Sequence, residues 1–381
     1  MLSQRRESMA PIRNRCVSAG ESQSAGRGRR TLWPAIGVIV FVAGLAVWIA
    51  YAAAWDPPRA WRALLINFIF FTPLAAGMVV WPALLTAARA EWLGPVRRSA
   101  LAAVAFAPVS IAAFALLWFG REHWAAWMHE ENLPNAAWLN APLLFGRDAA
   151  ALVGLWVLAA FYAARAARLR TRKLPAWLVA AYGGVFSLLG FDLVMALDPH
   201  WFSTLFGGYF FISGMYAAVA AWTLAAILSR PMPDADRRQD LGKLVVAFSL
   251  LATYMMFSQL IVIWYEQLPA EVRFVIPRLT QPPWKWVSAV LLGTIYLGPL
   301  VILLTVRAKR SPRFLGIVVA AVLVSLWLER WWLVTPTLGG EPVLGLVELS
   351  ITAALAAALA LAVAWTMRRL PAPAAEEGER S

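Results

Sequence analysis

The sequence predicts an all-α fold, a polytopic membrane protein with ten transmembrane helices. Three observations carry that reading. Apolar residues make up 61% of the 381 positions and charged residues only 14%, a balance foreign to soluble domains. Ten apolar runs each reach the roughly 20 residues that a spanning helix needs. The basic residues gather in every second connection between those runs, as the positive-inside rule requires of a multi-pass protein.

Taken in order, the runs are Leu32 to Ala54, Trp61 to Ala88, Ser99 to Phe119, Ala141 to Ala164, Pro175 to Leu197, Leu205 to Ser229, Leu241 to Tyr265, Trp286 to Val306, Pro312 to Val334 and Val343 to Met367. The second carries Asn67. The fourth begins near Arg147-Asp148, and the fifth holds Asp192 inside an apolar stretch, six residues before Asp198. Gln259 and Glu266 fall at the end of the seventh, Glu329-Arg330 near the end of the ninth, and Glu348 at the start of the tenth.

Charge placement orients the chain. With the N-terminus in the cytoplasm, the tails and connections on that side hold 26 of the 34 Lys and Arg residues. Both termini are therefore expected to be cytoplasmic. The formal net charge of +13 is accounted for by topology and does not imply nucleic acid. Residues 1–30 read as a disordered basic cytoplasmic leader, 31–368 as the ten-helix transmembrane domain, and 369–381 as a disordered cytoplasmic tail. The single cysteine, Cys16, lies in the leader with no apolar run before it, which supports neither a signal peptide nor a lipoprotein signal. Disulfides and thiolate-held clusters within the chain are excluded.

On this topology the titratable residues form a layer near the outer face, while the inner halves offer mostly hydroxyls, among them Ser187, Ser249, Thr253 and Thr352. By the rise of about 1.5 Å per residue, Asp192 lies roughly 9 Å below the outer rim. An ionisable group at such depth is costly and marks a site or a pair. Asp192 reads either as a proton-handling group or as the structural partner of Arg147 or Arg330. Asp198-Pro199 has the form of a helix start, with Asp as cap and Pro at the first position. His200 can pass protons near neutral pH, or it is simply interfacial. Glu329-Arg330 reads as an acceptor or as a self-contained pair near the headgroups. Twelve tryptophans, from Trp55 to Trp332, fall at the outer side and suggest an anchoring belt. The long connections Gly120 to Asn140 and Glu266 to Lys285 have the mixed composition of segments that lie flat on a membrane or receive a partner.

Haem held across the bilayer needs paired axial ligands, and the three histidines, His123, His129 and His200, all lie outside the apolar runs. No Walker A loop, Cys-x-x-Cys pair or nucleophile elbow occurs. Redox chemistry is expected to reside on partner subunits, with no cofactor bound by this chain.

Residues Phe191 to Phe211, FDLVMALDPHWFSTLFGGYFF, resemble the DW-hydrophobic-SLDPHWYSTIFG signature of the NrfD-like membrane subunits of alternative complex III, the quinol:cytochrome c oxidoreductase. The resemblance is closest to the second, ActF-like, of its two quinone-binding subunits. WLNAPLLFGRD (Trp138 to Asp148), FSQLIVIWYEQLPAE (Phe257 to Glu271) and WWLVTP (Trp331 to Pro336) resemble further segments in the same order, so the likeness spans about residues 135 to 340. The chain departs from the family pattern at Ile295-Tyr296, where the family has His-Phe, and at Leu326, where it has Arg.

The resemblance implies a non-redox subunit, inactive alone, in the inner (plasma) membrane of a bacterium. Its implied partners are other membrane subunits and extracytoplasmic multihaem cytochrome and iron–sulfur subunits, with quinol oxidised near the outer face. Asp192 and His200 are then the candidate proton relay, supported by Asp198, Gln259, Glu266, Glu348, Arg147 and Glu329. Quinone or quinol is the one ligand it implies. Two other readings stay open: a ten-helix secondary transporter, which calls for repeats and broken helices at mid-depth, and a purely structural scaffold of a respiratory complex.

Overall fold

The computed structural model describes residues 17–90, 92–94, 96–133, 135–166, 173–266, 269–339 and 342–369, with side chains from 34 onward and not at 266–271. Residues 370–381 of the expected disordered tail and the first sixteen residues of the leader lie outside that description; α-helix runs from Val17 into the first span, and the last helix includes Arg369.

Among the described residues, ten helices are long and apolar enough to cross a membrane: α1 (Pro34–Trp55), α2 (Pro57–Ala87), α3 (Val96–Phe119), α4 (Ala141–Arg165), α5 (Lys173–Leu197), α6 (Phe206–Leu228), α7 (Ala235–Tyr265), α8 (Trp284–Ile302), α9 (Pro312–Val334) and α10 (Leu346–Arg369). No strand occurs among the described residues. Each span coincides with one of the apolar runs, because hydrogen-bonding every backbone group within a helix is the way for a single segment to cross lipid.

Helices α2 to α5 pack as one bundle and α6 to α9 as a second, while α1 and α10 pair on the flank against α2 and α3. The bundles meet where α6 lies along α2 and α5 and α9 lies along α2. Helix α2 is the axis of the molecule: its apolar window is wholly buried, against 11% in α1 and 17% in α7. Apolar side chains on the outer helices face outward instead, as at Ile39, Trp177, Ile317 and Val324. In lipid such exposure is neutral, so helix association rests on close packing and polar contacts.

Small residues supply the closeness. A Cβ on Gly214 of α6 would lie 2.9 Å from Pro73 Cβ of α2, and one on Gly77 would lie 2.6 Å from Ala218 Cβ. A Cβ on Gly44 of α1 would meet Ser350 O of α10 at 2.4 Å. Polar contacts fix the register: Trp81 Nε1 donates to Met215 O at 3.0 Å, and Asn67 Oδ1 accepts from Trp327 Nε1 (3.0 Å) and Thr352 Oγ1 (2.8 Å). Asn67 thereby joins α2, α9 and α10.

Helix α8 changes pitch to a π segment at Leu292–Leu297, just before Pro299. Proline lacks the N–H that would bond the carbonyl four residues earlier, and that carbonyl, Ile295 O, accepts instead from Tyr216 Oη (3.0 Å) and Ser249 Oγ (3.2 Å). Ser249 also donates to Tyr296 O at 2.9 Å. The irregular turn is thus satisfied by the two neighbouring helices, and it carries Tyr296 to the inner wall of a cavity.

The long connections fold onto the end of the bundles that holds Asp192. Trp124 and Trp127 are buried there, and Trp124 Nε1 donates to Leu117 O at 3.1 Å. Trp201, Trp284 and Trp331 are buried as well, whereas Trp55, Trp264 and Trp286 are exposed. The expected tryptophan belt therefore divides: part faces outward at the rim and part is the core of the cap.

Candidate functional site

The fourth and fifth helices build the first polar station. Asp192 is fully buried. Its Oδ2 accepts from Arg147 Nη2 (2.7 Å) and Nε (3.0 Å), and its Oδ1 accepts from Trp138 Nε1 (2.7 Å). Arg147 also donates to Trp138 O (3.2 Å) and lies over the Trp138 ring at 3.7 Å. Asn140 caps α4 by accepting from Leu143 N (3.2 Å), which places Arg147 two turns into the helix and opposite Asp192. Of the two roles open to Asp192, the partner of Arg147 is the one its geometry expresses.

His200 stands apart from that pair. Its Nε2 lies 3.3 Å from Glu130 Oε2 at an exposed site. Asp198 caps no helix at Pro199: α6 begins only at Phe206. Aspartate followed by proline instead closes a turn, in which His200 N donates to Asp198 Oδ1 (3.3 Å) and Trp201 N to Asp198 O (3.0 Å). The other oxygen, Asp198 Oδ2, pairs with Arg273 Nε at 3.0 Å.

Glu348 is held by Arg59 in a two-pronged pair, Oε1 to Nε at 2.6 Å and Oε2 to Nη2 at 2.8 Å, and it accepts from Gly345 N (2.8 Å). This arrangement ties the start of α10 to the start of α2. Glu266 lies outside the described side chains.

The remaining candidates, Gln259 and Glu329, converge on one cavity in the second bundle, about 310 Å³ in volume. Its walls come from α6, α7, α8, α9 and the connecting helix Pro269–Thr280, and are mainly apolar: Met256, Leu260, Ile263, Phe274, Leu292 and Leu333 among them. Polar groups enter at Gln259, Ser288, Lys285, Tyr209 and Glu329. Glu329 is buried and accepts from Tyr209 Oη and from Ser213 Oγ (2.9 Å), with Arg330 Nη1 at 3.5 Å. Arg330 Nη2 donates to Ser213 Oγ (2.7 Å), and its guanidinium lies over the Phe210 ring at 4.4 Å. The pair is thus interior, not a headgroup pair.

A second hollow shares Leu260, Ile263, Val275 and Leu279 with the first and is lined by apolar side chains alone, including the exposed Trp264 and Ile261. Together they form a chamber with polar groups inside and an apolar mouth toward the lipid.

The connecting helix is anchored as a wall of this chamber. Phe274 stacks on Trp201 with ring centres 4.0 Å apart. Arg278 is buried and donates to Phe274 O (2.6 Å), Leu333 O (2.8 Å), Trp332 O (3.2 Å) and Thr337 Oγ1 (2.6 Å). Burial pushes Arg278 down to about 9, with the negative charge of Asp198 opposing the shift. It is cationic at neutral pH and caps the last carbonyls of α9, where the helix dipole is negative. No group of three or more metal-ligating side chains occurs among the described residues.

Fold and site define a class: a ten-helix polytopic membrane protein with a polar cap at one end and, in its second bundle, a mainly apolar chamber with a few polar groups inside. Compared with known protein families and with curated proteins, the chain matches none.

Sequence reasoning missed Tyr209, Phe274 and Arg278. Tyr209 lies 120 positions from its partner Glu329, and no local pattern announces such a contact. Arg278 gave a local signal, a cation in an aromatic-rich connection, but three of its four acceptors are backbone carbonyls that carry no sequence identity.

Proposed function

We propose that this chain is a membrane subunit of a quinol:cytochrome c oxidoreductase of the alternative complex III type, in a bacterial inner membrane with both termini cytoplasmic. Its work is to bind quinol near the outer face and take up the protons that oxidation releases. Electrons pass to haem and iron–sulfur groups on extracytoplasmic partners. The resemblance across residues 135 to 340 motivates the reading.

One observation carries it: the chamber between α6 and α9. Its volume falls at the small end of the range for ligand pockets, and its mix of apolar walls with a few convergent polar groups is what such pockets require. A quinol is a flat apolar ring with two hydroxyls on a long apolar tail. The ring fits between Phe274 and Leu292, a hydroxyl reaches the Glu329–Tyr209 pair, and the tail leaves past Leu260, Ile263 and Leu279. Glu329 is the proton acceptor in this arrangement, and Tyr209 and Ser213 hold its carboxylate in place. Among the residues that the sequence suggests for the site, Glu329 and Gln259 take the leading role in place of Asp192 and His200.

The test is Glu329→Gln in the intact complex, assayed for quinol:cytochrome c turnover. A positioned acid–base group contributes about 100-fold or more, so turnover should fall by about that factor with assembly and partner content unchanged. Unchanged turnover would reject the role. The scaffold reading draws on a different observation, that Asp192 and Glu348 are each closed by an arginine; it leaves the polar interior of the chamber without a purpose.

A further inference from the structure

Asp148 follows Arg147 on α4 and is fully buried, yet neither of its carboxylate oxygens has a hydrogen-bond partner. Its nearest cation is Arg147, whose Nε lies 3.8 Å from Oδ1. Arg147 is already committed to Asp192 by two hydrogen bonds and to Trp138 O by a third. The charged groups whose fields reach Asp148 are Asp192, from α5, and Arg147, from its own helix.

The charge count is decisive. Two buried carboxylates and one guanidinium leave one negative charge in excess, in a setting where an unpaired buried charge costs several kcal/mol. One proton removes the excess. Asp192 cannot take it without weakening three short bonds from Trp138 and Arg147, all of which need an ionised or at least accepting carboxylate. Asp148 accepts no bond and loses none. A proton there also converts one of its two idle acceptors into a donor toward Asp192.

We infer that Asp148 holds a proton at neutral pH, so that Asp148, Asp192 and Arg147 form a neutral proton-binding site in the first bundle, separate from the chamber in the second. The site has a cover and an approach. Trp138 and Arg147, stacked on each other, close it from the polar end, and Trp138 is half exposed at 48%. A hollow of about 290 Å³ lies beyond Trp138 and is lined also by Asn135, Pro199 and His200. Movement of the Trp138 ring, which bonds Asp192 and lines that hollow, would open Asp192 to it, and the proton would pass from the Asp148 hydroxyl through Asp192 to water, leaving Asp148 charged. The inference concerns this chain alone and does not depend on quinol as the ligand of the other bundle.

The test is infrared spectroscopy on the purified full-length chain in lipid nanodiscs, read in the carbonyl band of protonated carboxylic acids, which shifts in D2O. The wild-type minus Asp148→Asn difference spectrum should contain the intensity of one such acid. Asp192→Asn should remove the same band, because Arg147 is then free to pair with an ionised Asp148. Asn matches the neutral acid in shape and charge, so Asp148→Asn should fold with wild-type thermal stability. A difference spectrum with no acid band, or a variant that fails to fold, would overturn the inference. Retention of the band in Asp192→Asn would overturn the shared site.

Discussion

Arg147 and Glu329 occupy opposite positions in the chemistry of the polar end. Arg147 neutralises one deep carboxylate and contacts a second, so its loss leaves two buried acids with no cation. Breaking a buried ion pair from one side costs about 3–5 kcal/mol. Arg147→Gln should therefore lower the thermal unfolding midpoint of the detergent-solubilised protein by several degrees, and a midpoint unchanged from wild type would show that the pair is not structural. Glu329, by contrast, faces a cavity, where it accepts from the Tyr209 and Ser213 hydroxyls while Arg330 Nη1 stands farther off at 3.5 Å. Glu329→Gln preserves shape and leaves Arg330 bonded to Ser213, so it should lower that midpoint less than Arg147→Gln does while cutting turnover by about 100-fold. The same buried acidic residue type thus serves packing in one bundle and, as proposed, chemistry in the other.

How far these residues could be read from the chain varies with the range of their contacts. Asp192 stood out because its six-residue separation from Asp198 placed a charge inside an apolar run. Its pairing with Arg147 was one of the readings available, since each was placed near the same face. The Asp198-Pro199 pair misled, because a helix start and a tight turn share that dipeptide. Deciding between them needed Arg273 and the Trp201–Phe274 stack, more than 70 positions on in the chain.

Among the elements, the connecting helix Pro269–Thr280 bears most directly on function. It is short, lies between two spans and forms one wall of the chamber and part of its apolar mouth. Arg278 fastens it to the end of α9 through two backbone carbonyls, of Trp332 and Leu333, and the Thr337 hydroxyl just beyond. Charge-assisted bonds of this kind contribute about 1.5–3 kcal/mol each in favourable settings. Arg278→Met should loosen the wall: amide exchange across 269–280 should accelerate by about tenfold or more, with α2 to α5 unaffected. Exchange at the wild-type rate would mean that Trp201 and Arg273 hold the helix without it. The sequence displayed this segment only as a mixed connection suited to a membrane surface. Its amphipathic contact with the chamber depends on α8 and α9, which lie later in the chain.

At the scale of the whole molecule, the apolar periodicity of the chain was sufficient for the ten spans, since length and hydropathy are local properties. The division into two bundles about α2 was not legible. An apolar helix wholly inside protein and one facing lipid read alike in sequence, and only the contacts of Gly77, Gly214 and Asn67 separate them. Orientation is a matter of charge bias, and Cys16, the single cysteine, offers a direct check. A membrane-impermeant maleimide should label Cys16 in inverted vesicles and not in intact right-side-out ones; the reverse pattern would put the polar cap on the cytoplasmic side and remove the proposed contact with extracytoplasmic cytochromes.

The chamber as a quinol site is tested most directly by photolabelling. An azidoquinone bearing a prenyl tail, irradiated with the complex in membranes and mapped by mass spectrometry, should mark Met256 to Ile263 of α7 and Phe274 to Leu279 of the connecting helix. An excess of unlabelled quinol should suppress the label. Label confined to other subunits, or spread over the lipid-facing surface without competition, would contradict quinol binding by this chain.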